Sequence, residues 1–264
     1  MQLSVGLNSP CEHADRRLGY GPALNPKKLL DFLDHGGNIL LALSANSAIP
    51  SAISSLLLEL DIKLPPDRTA LVVDHFNYDH ASAAEKHDVL LTKRSRAIRP
   101  NVKDYFGGDG ILAVPRAVGQ SLGNASPLLA SILTAPETAY SYNPKEDEAS
   151  LEDPFATGTQ ISLVTALQAR NSARFTVLGS FEMLADKWFT TKVKGAGNSQ
   201  KPSNRDFAKQ LSAWTFQESG VLKVGEIQHY EMSRIPAESS SGINGTQTGP
   251  LNPAIYRIKN QLVR

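Results

Sequence analysis

The chain has 264 residues, and 41% of them are hydrophobic, enough for a packed core and too many for wholesale disorder. Its formal net charge of +1 argues against a dedicated nucleic-acid binder. Cys11 is the only cysteine, which excludes an intrachain disulfide and a cysteine-based zinc site.

"NPKKLLDFLDHGG" predicts a short helix with Asn25 as cap, Pro26 in the first turn and Gly36 at the exit. "NILLALS" is a continuous apolar run, the pattern of a strand covered on both faces. "PSAISSLLLELDI" predicts a second helix, and "TALVVD" and "HDVLL" two more strands. This alternation favours an α/β sheet with parallel strands. "TKRSRAIRPNVKDYF" is basic and irregular, "GGDG" is a turn, and "ILAV" resumes a strand. Residues 143–158 form an acidic, turn-rich loop. "QISLVTALQA" and "RFTVLGS" are β-type runs that the turn "RNSA" can join as a hairpin. In "SNRDFAKQLSAWTFQESG", Ser203 or Asn204 can cap a helix whose apolar face is Phe207, Leu211 and Trp214. "VLKVGEIQHYEM" predicts a strand, and residues 236–252 have linker composition.

Several residue sets could carry chemistry. Asp74, His75, Tyr78, Asp79 and His80 follow a buried strand, where open α/β sheets bind ligands. His75 and His80 are five apart, about 140° on a helix and on opposite faces of a strand. Zinc needs further ligands, and His87 reaches the pair only through loop folding. Two readings stay open: a loop whose Asp and His side chains hold backbone groups, or a metal or acid–base site. "GQSLG" matches G-x-S-x-G, with Ser121 as nucleophile, Asp186 or Asp206 as the acid and His229 as the base. Pro115, Arg116, Asn124 and Pro127 interrupt the strand and helix that such an elbow needs. Lys93, Arg94, Arg96, Arg99 and Lys103 form a basic run, read as a solvated surface or a phosphate- or lipid-headgroup-facing patch. Asn124 and Asn244 begin glycosylation sequons. No phosphate-binding or dinucleotide motif is present, so no cofactor is expected.

A set of longer stretches, in order, resembles one family: "GPALNPKKLLDFLDHGGNILLALS", "VVDHFNYD", "PRAVGQSLGNASPLLASIL", "TAYSYNP", "LQARNSARFTVLGSFEMLADKWF" and "WTFQESGVLKVGEIQHY". The resemblance is to the 48-kDa, non-catalytic subunit of the eukaryotic oligosaccharyltransferase, in a form similar to those of filamentous fungi. It implies a Rossmann-like open sheet with helices on both faces. On this reading residues 1–17 are unmatched, 18–235 form a partial lumenal domain lacking its first strand or strands, and 236–264 lead toward a β-rich domain. The implied role is support for glycan transfer from dolichyl diphosphate to Asn-X-Ser/Thr, at the endoplasmic reticulum membrane. The implied partners are the other subunits, including the multispanning catalytic one, and the lipid-linked oligosaccharide. The resemblance lowers the prospect of catalysis by Asp74, His75 or Ser121. The alternatives from the residues are a serine hydrolase using Ser121 and His229, or a glycan- or diphosphate-binding module built on the loop near Asp74.

Overall fold

The computed structural model describes residues 3–5, 25–46, 48–66, 70–94, 105–123, 126–143, 153–195, 197, 199–220, 224–231 and 256–262, the first and last two segments as backbone. The elements begin with β1 (Leu3–Val5), α1 (Pro26–Asp34), β2 (Ile39–Ala42), α2 (Ser51–Glu59), β3 (Ile62–Lys63), β4 (Leu71–Val73), β5 (Val89–Lys93) and β6 (Ile111–Pro115). Next come β7 (Ser121–Leu122), β8 (Leu129–Thr134), β9 (Tyr140–Tyr142), β10 (Ser162–Gln168) and β11 (Arg174–Leu178). The last are α3 (Asp186–Thr190), β12 (Val193–Lys194), β13 (Ser199–Gln200), α4 (Asn204–Thr215), β14 (Val224–Glu231) and β15 (Tyr256–Leu262). Contacts divide the chain into a large unit, Met1–Ser219, and a small one, Gly220–Arg264. In the small unit β14 pairs antiparallel with β15.

The large unit is an α/β domain around a five-stranded sheet of order β1-β2-β11-β10-β8. β2 lies parallel to β1 and to β11, whereas β10 is antiparallel to β11 and β8. The sheet is therefore mixed, not parallel as the alternating pattern implied. One cause is local. The five residues 169–173 between β10 and β11, with Ser172 at a φ of 69°, make a hairpin, and a hairpin can join only antiparallel strands. "LVV" and "VLL" do not enter the main sheet either. β4 pairs antiparallel with β9, and β5 with β6. The segment 117–120 connects them to it: the Val118 amide donates to Gly179 O and the Gln120 amide to Ser162 O. A Cβ at Gly179 would sit 2.6 Å from Val118 O, so this close approach requires glycine. Leu3–Val5 occupies the edge beside β2 that the sequence reading left without a first strand.

Helices cover both faces, and β2 shows why. Ile39 and Leu41 point to one side and pack with Leu29 and Leu33 of α1 and Ile53, Leu56 and Leu57 of α2. Leu40 and Ala42 point to the other side, toward Phe207 and Leu211 of α4. α1 begins as its sequence requires: Asn25 Oδ1 accepts the Lys28 amide at 2.8 Å, and Pro26 stands where no intrahelical amide bond is lost. Gly36 leaves it at a φ of 85°, a left-handed value suited to glycine.

The start of α4 differs from expectation. Neither Ser203 nor Asn204 caps it through a side chain. Asn204 is fully buried and instead continues the β6 ladder. Its Oδ1 accepts the Ala113 amide at 2.9 Å, and its Nδ2 donates to Ala113 O at 2.7 Å and Met183 O at 3.1 Å. At the other end Arg174, 2% exposed, donates to Trp214 O and to Ser219 O (2.8 Å), and its guanidinium lies 4.6 Å from the Trp214 ring centroid. Trp214 O lies in the last turn of α4, where a cation is favoured, and Ser219 O in the turn that follows it. Desolvation lowers the Arg174 pKa from its ordinary value.

Phe207, Leu211 and Trp214 are all buried, and Phe106 meets the Trp214 ring edge-on at 5.5 Å. Trp214→Ala should therefore destabilise the large unit by about 3–5 kcal/mol. Urea unfolding measures this; a wild-type midpoint would show that the face contributes little packing.

Candidate functional site

The loop after β4 is organised by two buried carboxylates. Asp74 is fully buried, and its Oδ1 accepts the Phe76 amide at 2.8 Å and the Asn77 amide at 3.1 Å. Asn77 Nδ2 donates to Oδ2 at 3.1 Å, and the Thr138 hydroxyl lies 2.8 Å from both oxygens. This is an Asx turn sealed by a second loop. Asp79, 2% exposed, accepts the Lys194 amide at 2.7 Å, the Ala81 amide at 3.3 Å and the Ser82 hydroxyl at 2.5 Å. Both carboxylates are engaged with their surroundings, and Phe76 is held out at 71% exposure.

The histidines meet only through loop folding. His75 Nδ1 lies 2.5 Å from His87 Nδ1, and its Nε2 lies 2.9 Å from the Tyr140 hydroxyl. Such a nitrogen–nitrogen contact needs one N–H and one lone pair, so the two tautomers interlock. Tyr78 stacks between His87 and His80, with centroids 4.2 and 4.4 Å away. His87 is held at a left-handed φ of 50°. Among the described residues, no group of three or more His, Cys, Asp or Glu side chains could hold a metal ion.

Ser121 lies within β7, paired in register with Lys63 of β3. An extended strand at that position does not form the strand-to-helix elbow of a hydrolase nucleophile. Asp186 and Asp206 fall in the first turns of α3 and α4. His229 is on β14, in the small unit. Arg94 does not belong to a solvated basic patch. It is 8% exposed and donates to Gly107 O, Gln210 Oε1 and Ser203 O. Lys93 ends β5. Arg96, Arg99, Lys103 and the sequon asparagines Asn124 and Asn244 lie outside the described residues.

The sequence reading missed a cleft of about 530 Å³ beside this loop. Its walls come from residues 81–86, Asp88 and Val89, from Pro115 and Arg116 at the end of β6, and from Glu182, Ala185, Lys187 and Trp188 beyond β11. Arg116 has a left-handed φ of 44°, and its amide donates to Asp88 O at 2.7 Å. Its guanidinium grips Glu182 through Nε, at 2.9 Å from Oε1, and through Nη2, on Oε2. Asn46 Nδ2, beyond the end of β2, also donates to Glu182 Oε1 at 2.5 Å. The hydrogen bond to Glu182 raises the Arg116 pKa above its ordinary value, with charge attraction from Glu182 and Asp88 adding to it and partial burial opposing it. Lys86, Arg116 and Lys187 balance Glu85, Asp88 and Glu182 around the opening. Asp88, 9% exposed, lines the cleft on the same side as the Arg116 guanidinium that its charge attracts.

Fold and site together define an α/β domain with a polar, charge-balanced cleft at the ends of its strands. Residues 15–218 match the family model "OST48, N-terminal domain". The chain belongs to this OST48 family. It is similar to the protein named dolichyl-diphosphooligosaccharide–protein glycosyltransferase 48 kDa subunit in Drosophila melanogaster, at 35% identity over 249 residues, covering 90% of this chain and 52% of that protein. The proteins of the same name are 31% identical in Arabidopsis thaliana, covering 92% of this chain and 52% of theirs, and 33% identical in Danio rerio, covering 80% and 47%. The chain thus spans about half the length of these relatives. A solved structure titled "mmIFT52 N-terminal domain" aligns over 72% of this chain and 69% of its own, at 18% identity and a TM-score of 0.46, a likeness too low to carry an argument.

Removing the Asp74 carboxylate would strand two amides and the Thr138 hydroxyl in a buried turn. Asp74→Ala should lower stability by about 3 kcal/mol, since hydrogen bonds to a charged group contribute about 1.5–3 kcal/mol each and only partial water access replaces them. Chemical denaturation reads this out; a loss under about 0.5 kcal/mol would show that the turn holds without its carboxylate.

Proposed function

We propose that this domain is part of a non-catalytic subunit of the oligosaccharyltransferase complex. That complex transfers a preassembled glycan from dolichyl diphosphate to asparagine in Asn-X-Ser/Thr. The domain would face the lumen of the endoplasmic reticulum, in contact with other subunits, including the multispanning catalytic one, and with the lipid-linked oligosaccharide within their reach. The observation that carries the reading is the match of residues 15–218 to the N-terminal domain of the family. The name shared by relatives from a fly, a plant and a fish supports it. A scaffolding role is also supported by the site chemistry. Asp74 and Asp79 spend their acceptors on neighbouring backbone and hydroxyl groups, and Ser121 lies in a strand. Among the described residues no helix is long and apolar enough to cross a membrane.

The serine-hydrolase alternative has no supporting geometry at Ser121. A ligand site on the loop at Asp74 is equally unsupported, because its carboxylate has no acceptor capacity left pointing outward.

Capture of the full-length protein from detergent-solubilised membranes should bring down the multispanning transferase in near-equal amount. In cells depleted of the native subunit, the full-length protein carrying Ser121→Ala should sustain N-glycosylation of a reporter at the wild-type level. Recovery without any transferase would overturn the subunit reading, and loss of reporter glycosylation at unchanged abundance would overturn the structural role of Ser121.

A further inference from the structure

We propose that the open edge of β5, beyond its contact with Asn77, docks an extended segment of a partner polypeptide that carries a carboxylate and adds a short strand beside Thr92. The docking concerns the large unit alone, so its failure and a failure of the subunit reading are distinguishable.

The edge is created by the Asp74 turn. Leu91 lies opposite Ala113 in the antiparallel pair of β5 and β6, but the Ala113 amide and carbonyl are both engaged by Asn204. Leu91 therefore turns its own amide and carbonyl away from β6, and Lys93, two residues on, does the same. On that side residues 77–79 begin a further strand. The Leu91 amide donates to Asn77 O at 2.9 Å, and the Asp79 amide to Val89 O at 3.0 Å. A continuing antiparallel ladder would return the Asn77 amide to Leu91 O. Asp74 takes that amide instead, at 3.1 Å, and the chain bends off the edge. Leu91 O and the Lys93 amide are left with no hydrogen-bond partner among the described residues.

A groove of about 330 Å³ runs between this edge and residues 134–136. Leu91, Ile111, Ala135, Pro136 and the bare backbone of Gly195 give it an apolar wall, and Lys93 is the one charged residue among the described ones that line it. The Asp74 loop contributes only a ring: Phe76 lines the groove at 71% exposure, its amide fastened to Asp74 Oδ1. These features select the occupant. An extended backbone alternates N–H and C=O, so one residue laid beside Thr92 in a strand parallel to β5 donates to Leu91 O and accepts from the Lys93 amide. A helix has its interior backbone groups committed to one another and offers neither. Water satisfies the two groups but leaves Phe76 and the apolar wall uncovered, whereas strand addition serves backbone and side chains together. The Lys93 ammonium favours a carboxylate on the incoming segment. It disfavours a second copy of β5, which would bring another Lys93 to the same edge.

The test is NMR of the isotope-labelled chain with the blocked peptide acetyl-VTVDV-amide as probe. In the free chain the Lys93 amide should exchange with solvent faster than the Leu91 amide, which is bonded to Asn77 O. The peptide should shift resonances of Phe76, Thr92 and Lys93 with a Kd on the order of millimolar, and slow Lys93 exchange in proportion to occupancy. N-methylation of its three central residues keeps every side chain but removes the donors, and should weaken binding about tenfold. Lys93→Glu should weaken binding of the acidic peptide about threefold and turn the preference toward acetyl-VTVKV-amide. If that variant does not fold, the comparisons on the wild-type chain decide alone. The proposal is overturned if Lys93 exchanges as slowly as Leu91 in the free chain, if the peptide shifts nothing along the groove, or if the N-methylated peptide binds as tightly. It is also overturned if Lys93→Glu keeps the preference for the acidic peptide, or if raising the concentration of the chain alone produces the same shifts, which would make a second copy the occupant.

Discussion

Ile39 lies opposite Phe175, and Leu41 opposite Val177, across the parallel pair of β2 and β11. A slip of one residue would exchange the two faces of β2 and send Ile39 and Leu41 away from α1 and α2. Both apolar layers depend on that register, because Phe175 and Val177 belong to one and Leu178 to the other. The same register places the ends of β2 and β11 side by side. Asn46 beyond the one and Glu182 beyond the other can therefore meet, and Arg116 joins them there. Packing and site are linked at this point, since the cleft wall is built from groups that leave the sheet together.

The polar loops divide into two kinds. Around Asp74 and Asp79, each acceptor oxygen serves amides and hydroxyls of nearby segments, and the interlocked His75 and His87 rings fasten the turn from outside. Such a loop is stabilised by its own chemistry and has little left for a ligand. Around Arg116 the arrangement differs: its guanidinium is gripped by Glu182, its backbone is held at a left-handed φ, and both face an open cleft. The contrast arises within a few residues of chain, so proximity to a strand end does not by itself distinguish a self-satisfied loop from the wall of a cleft.

Arg174 and Asn204 show how buried polar residues join elements that apolar packing alone would leave free to slide. Asn204 extends the hydrogen bonding of β6 into the first turn of α4, and Arg174 ties Trp214 O of its last turn to Ser219 O in the segment that follows. Both are nearly inaccessible to water, so either would be expensive to leave unpaired. They anchor α4 at its two ends, which sets how its face of Phe207, Leu211 and Trp214 meets the sheet.

Much of this architecture was legible in residue order. Local signals marked α1, α2 and α4: the Asn25–Pro26 start, the Gly36 exit, and apolar residues three and four apart. The "RNSA" turn marked the β10–β11 hairpin, and long stretches such as "LQARNSARFTVLGS" carried the family. These features are legible because helix periodicity, turn chemistry and unusual local composition reside in contiguous residues. The strand directions were not legible, since an apolar run such as "LVV" reads the same whether it lies beside β2 or, as it does, antiparallel to β9. Nor were the side-chain partners. His75 and His87 are 12 residues apart and Arg116 and Glu182 are 66, and nothing local to either pair records the loop paths that join them. Asp88 is the sharpest case. It is one more charged residue in "EKHDV", and only the tertiary structure decided that it would line the cleft within reach of the Arg116 charge, because burial and pairing belong to the neighbours that folding brings, not to the residue itself.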